Sequence, residues 1–231
     1  MKITIKRKSN YIVDVPLENI TLLEALNYIK TKKDPSLTFS SGCRSSVCGS
    51  CSLMVNDKPQ LACEYKVKDG DFISPLTNLE VIKDLVVDHQ KAQNRNKQAK
   101  AWIDQSGVLL ISSDEVKLSE VQSNCILCSL CYSVCPVYAV NDDFLGPFAL
   151  TRILKYTLDK RDNNTKDKID HIQNNGVWDC TLCDACTFAC PVGISSKQDI
   201  EILRMQSVKQ GYVDPSFANF GGGLDFGAPQ F

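Results

Sequence analysis

The chain has 231 residues, of which 43% are hydrophobic and 23% are charged, and its formal net charge is −1. This composition supports one large or two modest folded domains and argues against general disorder. A charge this close to zero gives no broad field that would attract nucleic acid or an anionic membrane, and no apolar stretch reaches the roughly 18 residues of a membrane span.

Strand signals dominate the beginning of the chain. Residues 1–15 alternate apolar and polar side chains on either side of Ser9 and Asn10, which predicts a β-hairpin. The same residues lack the apolar run of a signal peptide, so we do not expect the chain to carry an export signal. A second hairpin is predicted for residues 52–63, SLMVNDKPQLAC, in which a polar turn separates two strand-like segments.

One helix is predicted between these hairpins. Thr21 and Glu24 have the spacing of a capping box, which marks the start of a helix. Asp34 and Pro35 mark its end, because the residue before a proline disfavours helical geometry. Its apolar residues recur at helical spacing: Leu22, Leu26 and Ile29. The first part of the chain is therefore expected to be a compact α+β unit with the helix packed across a sheet.

A polar segment follows, HQKAQNRNKQAK at residues 89–100. It is interpreted as a solvated helix face or linker rather than as a binding patch. We place the domain boundary here, with one domain at 1–100 and the other at 101–231. The chain's two histidines, His89 and His171, both lie in polar surroundings, and we expect both to be exposed to solvent.

The second half is predicted to be helical. FALTRILKYTLDKRD and SKQDIEILRMQSVKQG both show helical periodicity, with Gly211 as the C-terminal cap of the second segment. The residues predicted to face the core are Leu150, Ile153, Leu154 and Leu158 in the first segment, and Ile200, Leu203 and Val208 in the second. The tail from Gly221 is expected to be flexible because of its composition.

Twelve cysteines carry most of the functional information. They fall into three groups of four: Cys43, Cys48, Cys51 and Cys63; Cys125, Cys128, Cys131 and Cys135; Cys180, Cys183, Cys186 and Cys190. Disulfide frameworks are typical of short exported chains. Clustered thiols in a reducing compartment instead indicate soft-metal ligands.

The first group has the spacing C-x4-C-x2-C followed by a distant cysteine, which is that of a plant-type ferredoxin [2Fe–2S] cluster. Its loop contains Gly42 and Gly49, and small residues let backbone amides approach the cluster sulfides. The alternative is a structural zinc site, which a C-x2-C pair permits. A zinc ribbon usually has two such pairs, so the spacing favours the iron–sulfur cluster.

The other two groups repeat one pattern, C-x2-C-x2-C-x3-C-P, about 55 residues apart. In bacterial two-cluster ferredoxins, the fourth cysteine of each such run binds the cluster of the other run. The predicted sets are Cys125, Cys128, Cys131 and Cys190 for one cluster, and Cys180, Cys183, Cys186 and Cys135 for the other. Two zinc sites would not explain why this spacing occurs twice.

No other catalytic pattern is evident in the sequence. We find no phosphate-binding loop, dinucleotide fingerprint or nucleophile motif. The sequence therefore predicts a carrier of single electrons with no catalytic residue of its own.

Several longer stretches resemble the iron–sulfur subunit of succinate dehydrogenase and fumarate reductase. They are CRSSVCGSC, LEVIKDLVVD, FLGPFALTRILKYTLDKRD and NNGVWDC, and the resemblance extends over roughly residues 1–212. It implies an α+β protein, with an N-terminal plant-type ferredoxin (β-grasp) domain and a C-terminal all-α domain like a bacterial ferredoxin. It also implies an electron relay between a FAD-containing flavoprotein subunit, which the N-terminal domain faces, and a membrane-anchor subunit, which the C-terminal domain faces.

This resemblance also suggests a location. The subunit is expected to be peripheral to the inner, cytoplasmic membrane. The cytoplasmic side is favoured by the absence of an export signal, and the periplasmic side is the alternative if a partner carries the chain across.

Two departures from the family pattern concern the third cluster. Most members lack a cysteine at the position of Cys183 and hold a [3Fe–4S] cluster with the counterparts of Cys135, Cys180 and Cys186. Here Cys183 restores a fourth thiolate, which implies a second [4Fe–4S] cluster at lower potential, with [3Fe–4S] as the alternative if Cys183 is not a ligand. Val140 and Thr181 stand where quinone-reactive members often have tryptophan and histidine. The chain thus resembles the subgroup with a cysteine-rich anchor, and quinone chemistry is expected on that partner.

Two other functions compete with this interpretation. One is the iron–sulfur subunit of a thiol-linked fumarate reductase or a heterodisulfide-reductase-like complex, which uses related cysteine runs. The other is a stand-alone ferredoxin-type carrier, which would not need the long helical segment FLGPFALTRILKY.

Overall fold

The structure is a computed structural model and describes residues 1–104 and 110–218. Within them, one mixed sheet has the strand order β2-β1-β5-β3-β4, in which β1 and β5 are parallel and the other neighbours are antiparallel. The strands are β1 (Lys2–Lys6), β2 (Asn10–Asp14), β3 (Ser52–Val55), β4 (Lys58–Leu61) and β5 (Phe72–Ser74). A small hairpin of β6 (Val81–Lys83) and β7 (Val86–Val87) follows.

Both predicted hairpins are confirmed. In β1 and β2, Ile3 pairs with Val13, and both side chains are buried because alternate residues of a strand face the same side. In β3 and β4, Met54 pairs with Pro59 around a turn in which Asn56 and Asp57 have positive φ.

The predicted helix is also confirmed as α1 (Leu22–Lys32). The Thr21 side chain accepts a hydrogen bond from the Glu24 amide, and the Glu24 carboxylate accepts one from the Thr21 amide at 2.7 Å. Leu22, Leu26 and Ile29 are fully buried in one core with the inward-facing residues of the sheet. The helix therefore packs across the sheet, as the apolar spacing predicted.

From Gln90 onward, the described residues form helices and no strand, which confirms the expected all-α second half. The helices are α2 (Gln90–Gln98), α3 (Ser113–Lys117), α4 (Glu120–Ser123), α5 (Leu130–Ser133), α6 (Pro136–Val140), α7 (Pro147–Thr157), α8 (Thr165–His171), α9 (Ala185–Phe188), α10 (Ser196–Lys209) and α11 (Pro215–Ala218). In the two described ranges, no helix is long and apolar enough to cross a bilayer.

Helices α7 and α10 form the centre of the second core. The buried residues include Leu150, Ile153, Leu154, Ile200 and Leu203, all predicted to face inward, while Leu158 lies just past α7 and is half-buried. The prediction for Val208 is wrong, because this side chain is 56% exposed. Ser207 takes the inward position instead, where its hydroxyl donates to the Leu203 carbonyl at 2.9 Å. Gly211, with φ of 90°, follows the helix end as a left-handed residue.

The polar segment 89–100 is a helix with one buried face. Ala92 and Ala99 lie in the second core, and Arg95 is buried with its guanidinium donating to the Asp142 carbonyl and to Gln98. The prediction that His89 is solvent-exposed is wrong, since it is half-buried. The division near residue 100 stays a prediction, and the tail from Gly221 lies outside the described residues.

Candidate iron–sulfur sites

Backbone amides converge on sulfur in the first cysteine loop. The N–H groups of Val47 and Cys48 both lie 3.3 Å from Cys43 Sγ, and the N–H of Ser46 lies 3.3 Å from Cys63 Sγ. Arg44 and Ser46 have positive φ, which turns successive amides towards one side of the loop. Such donors would offset the negative charge of thiolates and of inorganic sulfide.

Two further properties of this loop fit a cluster. A Cβ atom on Gly42 would lie 2.9 Å from Cys48 Sγ, so glycine leaves this sulfur room that any other residue would fill. The pKa of Cys48 is lowered to about 6, chiefly by a hydrogen bond with the Ser50 side chain, so this thiol ionises readily. Burial raises the pKa of Cys51 to about 11, and this thiol would need a bound metal to ionise.

The two repeated runs build two cavities, each bordered by four cysteines drawn from both runs. One is lined by Cys125, Cys128, Cys131 and Cys190, and the other by Cys135, Cys180, Cys183 and Cys186. These are the two sets that the sequence pattern predicted. Cys183 lines the second of these cavities from its exposed rim.

Electrostatic coupling groups the thiols in the same way. Burial raises the pKa of Cys128 to about 11, and the neighbouring charges of Cys125 and Cys190 add to the rise. Burial raises the pKa of Cys186 to about 12, with additions from Cys180, Cys135 and Cys183. Four thiolates packed this closely repel one another, so the donor set suits a group that carries compensating iron charge.

The repeat extends to backbone conformation. Leu127 and Leu182 both have φ of 54°, and Ser129 and Asp184 have φ of 62° and 69°. These left-handed residues precede the short helices α5 and α9, which contact each other. Left-handed geometry at a non-glycine residue costs energy, and here it turns the loop around the sulfurs, as in the Leu182 N–H that lies 3.4 Å from Cys180 Sγ.

The sulfurs of the two repeated sets border cavities rather than meet at one point. Among residues 1–104 and 110–218, no three histidine, cysteine or acidic side chains are close enough together to hold a single metal ion. All twelve cysteines are free of disulfides. The all-thiol donor sets, the amides aimed at sulfur and the space at Gly42 fit iron–sulfur clusters. The individual ligand assignments stay predictions.

The first cysteine loop touches the second cysteine group directly. Gly49 has φ of 69°, and a Cβ placed there would lie 2.6 Å from Cys128 Cβ and 3.3 Å from the Ile126 carbonyl oxygen. Cys51 and Leu130 share one core, with Ile126 and Cys128 packed against it. Two of the three candidate sites are therefore in contact through the protein.

Sequence reasoning missed two polar residues at the repeated runs. Ser129 and Asp184 each follow the second cysteine of their run and line its cavity. Ser129 is hydrogen-bonded to His89, whereas Asp184 has a buried Oδ1 without a hydrogen-bond partner in the described part of the chain. The signal was present in the alignment of the two runs, which places both polar residues at the same repeat position.

Thr181 and Val140, the two positions compared above with those of quinone-reactive members, both lie at the surface. Thr181 lines the cavity of the third site and is exposed, and Val140 on α6 is 87% exposed. Phe188 at the end of α9 is 86% exposed, so this end of the molecule presents apolar side chains to its surroundings.

A sheet-and-helix unit with one four-cysteine loop, followed by a helical unit with two cysteine runs, defines an iron–sulfur protein of the ferredoxin class. Comparison with known families agrees. Residues 3–94 match the 2Fe-2S iron-sulfur cluster binding domain family, and residues 121–194 match the 4Fe-4S dicluster domain family.

Comparison with individual proteins narrows this class. The chain is 36% identical to the fumarate reductase iron-sulfur subunit of Haemophilus influenzae over 217 residues, which is 84% of this chain and 85% of that protein. It is 35% identical to the 8-methylmenaquinol:fumarate reductase iron-sulfur subunit of Wolinella succinogenes, over 91% of this chain and 74% of that protein. The chain belongs to the family of fumarate reductase and succinate dehydrogenase iron–sulfur subunits.

The fold has a counterpart among solved structures. A chain of the Mycobacterium smegmatis Sdh1 complex in the apo form superposes with a TM-score of 0.78 at 22% identity. The match covers 93% of this chain and 98% of that one. It confirms the predicted fold class, an α+β protein in which a ferredoxin-like sheet domain precedes a helical one.

Proposed function

We propose that this chain is the electron-transfer iron–sulfur subunit of a succinate:quinone or quinol:fumarate oxidoreductase complex. It passes single electrons between a FAD-containing flavoprotein subunit and a membrane-anchor subunit. One observation carries the proposal: the three four-cysteine groups form a continuous series. Gly49 of the first loop touches Cys128 of the second group, and α5, which contains Cys131 of the second group, contacts α9, which contains Cys186 of the third.

Three clusters would occupy this series. Cys43, Cys48, Cys51 and Cys63 would hold a [2Fe–2S] cluster, which each electron enters or leaves at the flavoprotein end. The middle set would hold a [4Fe–4S] cluster, and the third set, with Cys183, a second [4Fe–4S] cluster. When bound, the clusters supply one-electron redox chemistry. The chain itself contributes thiolates, amide donors and the exclusion of water, and we attribute the conversion of succinate and fumarate to the flavoprotein.

The two ends of the series suit two partners. At the first loop, Cys43 and Cys48 are exposed beside Val47, which gives a flavoprotein access to the first cluster. At the other end, Cys183 is exposed, and Val140 and Phe188 offer apolar contacts to a membrane-anchor subunit. We propose a position at the cytoplasmic face of the membrane, with the periplasmic face as the alternative.

The residues at the membrane-anchor end of the series indicate where quinone would bind. Neither Val140 nor Thr181 has a side chain that would position a quinone as tryptophan and histidine do. We therefore place quinone binding on the anchor, which would be cysteine-rich. We also propose that the two halves are separate domains that divide near residue 100, with α2 at the boundary, since Ala92 and Ala99 pack in the second core.

Anaerobic isolation with partner subunits tests the proposal. A tagged chain should co-purify with a flavoprotein, and the preparation should be brown, with about ten iron atoms and about ten acid-labile sulfides per chain. Succinate should reduce the clusters, and fumarate should reoxidise them. Colourless material with iron well below this content would contradict the proposal.

A thiol-linked fumarate reductase or heterodisulfide-reductase-like complex is the second candidate. Three residues favour this second candidate: Cys183, Val140 and Thr181. A thiol donor would not need a quinone-positioning residue on this chain, and neither Val140 nor Thr181 is one. The relationship to an 8-methylmenaquinol:fumarate reductase subunit favours the quinol donor. Fumarate reduction assayed with a menaquinol analogue and with a dithiol donor, in the same complex, separates the two.

A further inference from the structure

A histidine from outside the cysteine runs reaches the middle site. His89, which immediately precedes α2, has its Nδ1 atom 3.0 Å from the Oγ atom of Ser129. Ser129 follows Cys128 and is fully buried, and it lines the cavity bordered by the middle four cysteines. The contact joins residues 40 positions apart in the chain.

The imidazole of His89 fixes the orientation of the Ser129 hydroxyl group, which would otherwise rotate freely. Within the described residues, His89 is the one hydrogen-bond partner of the Ser129 hydroxyl. Burial lowers the pKa of His89, against an opposing effect of Asp88, and so favours the neutral ring. A neutral ring with its proton on Nδ1 donates to Ser129 Oγ, and the hydroxyl proton is then free to face the cavity. Negative charge on the sulfurs around that cavity favours this arrangement.

We propose that His89 is a positioning residue for the middle [4Fe–4S] cluster. It holds the Ser129 hydroxyl as a hydrogen-bond donor towards the cluster and thereby raises the midpoint potential of that cluster. A donor near the sulfurs stabilises the more negative, reduced state. The inference rests on the proposed function, because it takes Cys125, Cys128, Cys131 and Cys190 as ligands of that cluster.

The third site lacks this arrangement. Asp184 occupies the repeat position of Ser129, and its buried Oδ1 has no hydrogen-bond partner in the part of the chain that the structure describes. A carboxylate there would stabilise the oxidised state, whereas the paired hydroxyl at the middle site would stabilise the reduced state. The two polar residues therefore separate the potentials of two clusters that have similar cysteine sets.

Redox titration of the anaerobically purified complex tests this, with the EPR signal of each cluster followed separately. Ser129→Ala and His89→Ala are both expected to lower the midpoint potential of the middle cluster. Adding His89→Ala to Ser129→Ala should cause no further shift, since the imidazole acts through the hydroxyl. His89→Asn, which keeps a donor near the Nδ1 position, should recover most of the wild-type potential.

The controls separate positioning from general damage. His171→Ala removes the other histidine, which hydrogen-bonds within its own helix, and should shift no potential. Iron content and the melting temperature should match the wild type in Ser129→Ala and His89→Asn, which keeps the test valid even if His89→Ala is unstable.

Two results would overturn the inference. One is a midpoint potential of the middle cluster that is unchanged in Ser129→Ala. The other is a shift caused by His89→Ala that is equally large in the wild-type protein and in Ser129→Ala. These leave the proposed function intact. A wild-type complex with no middle [4Fe–4S] signal and a correspondingly low iron content would instead contradict the proposed function, and the inference with it.

Discussion

Cys183 differs from the other thiols of its set in exposure. Cys135 and Cys186 are buried and Cys180 is half-buried, whereas Cys183 is exposed at the rim of the cavity. Burial is the main cause of the raised pKa of Cys135, Cys180 and Cys186, and the charge of Cys183 adds to the rise in each, so its sulfur lies near all three. An exposed fourth ligand is the part of a cubane site that is most easily lost, and its presence decides between a four-iron and a three-iron cluster.

Replacing this thiol should convert the third cluster. Cys183→Ser and Cys183→Ala are expected to give a [3Fe–4S] EPR signal in the oxidised protein and to lower the iron content by about one atom per chain. The potential of the third cluster should rise, because a negative ligand is removed. Thr181→Ser, a conservative change at an exposed residue of the same loop, is the control. An oxidised spectrum identical to that of the wild type would rule out Cys183 as a ligand.

Asp184 allows a test of local charge. Asp184→Asn removes a carboxylate that lines the third cavity and should raise the potential of the third cluster, since less negative charge then opposes reduction. Redox titration followed by EPR measures the shift. Asp114→Asn removes the same charge from an exposed position on α3 and should leave every cluster potential unchanged. Equal shifts in the two variants would indicate a general effect of net charge.

At the scale of secondary-structure elements, the sequence predicted an element correctly where neighbouring residues determine it. The start of α1 depends on hydrogen bonds within Thr21 to Glu24, and the sequence contains all of their partners. The strand alternation in residues 1–15 likewise depends on a period of two residues that is visible in the sequence.

Local signals failed where a distant residue determines the environment. His89 has polar neighbours in sequence, yet it is half-buried against Ser129, which is 40 residues away. Arg95 is buried because the Asp142 carbonyl accepts from it, and the sequence pattern of α2 does not show that partner. Val208 matches the apolar spacing of α10, but Ser207 occupies the buried position instead. Its hydroxyl can be buried because it donates to the Leu203 carbonyl and accepts from Gln173.

The capping box of α1 gives an element-scale prediction. Thr21→Ala removes the acceptor for the Glu24 amide and should destabilise the helix by about 1 kcal/mol. Hydrogen exchange measured by mass spectrometry should show roughly fivefold less protection in the first turn of α1. Thr31→Ala, in the last turn of the same helix, is the matched control and should leave the first turn protected. Unchanged exchange at the first turn in Thr21→Ala would mean that tertiary packing alone holds this helix end.

At the scale of the whole molecule, the cysteine sets and the order of the sites were predictable, but their contact was not. The repeated spacing predicted which four cysteines border each cavity, because in two-cluster ferredoxins the fourth cysteine of each run belongs to the site of the other run. The approach of Gly49 to Cys128 depends on the packing of Ile126, Cys128 and Leu130 against the core of the N-terminal sheet, and no local sequence pattern shows that packing. Glycine at position 49 was expected to admit amides to the first cluster. In the structure, its missing side chain also leaves space for the second cysteine group.

A side chain at this position should therefore disturb the relay between clusters. In Gly49→Ala, the new Cβ would lie 2.6 Å from Cys128 Cβ, so the two loops must separate. The magnetic interaction between the first two clusters should weaken, and reoxidation of the first cluster through the second should slow, as measured by EPR in rapidly frozen samples. Gly70→Ala is the matched control, because Gly70 also has positive φ, of 82°, but a Cβ there meets no atom within 4 Å. Both variants carry the backbone cost of a left-handed alanine, about 1–2 kcal/mol, so a difference between them reports the contact alone. If both variants retained wild-type coupling and transfer rates, the contact between Gly49 and Cys128 would not set the distance between the clusters.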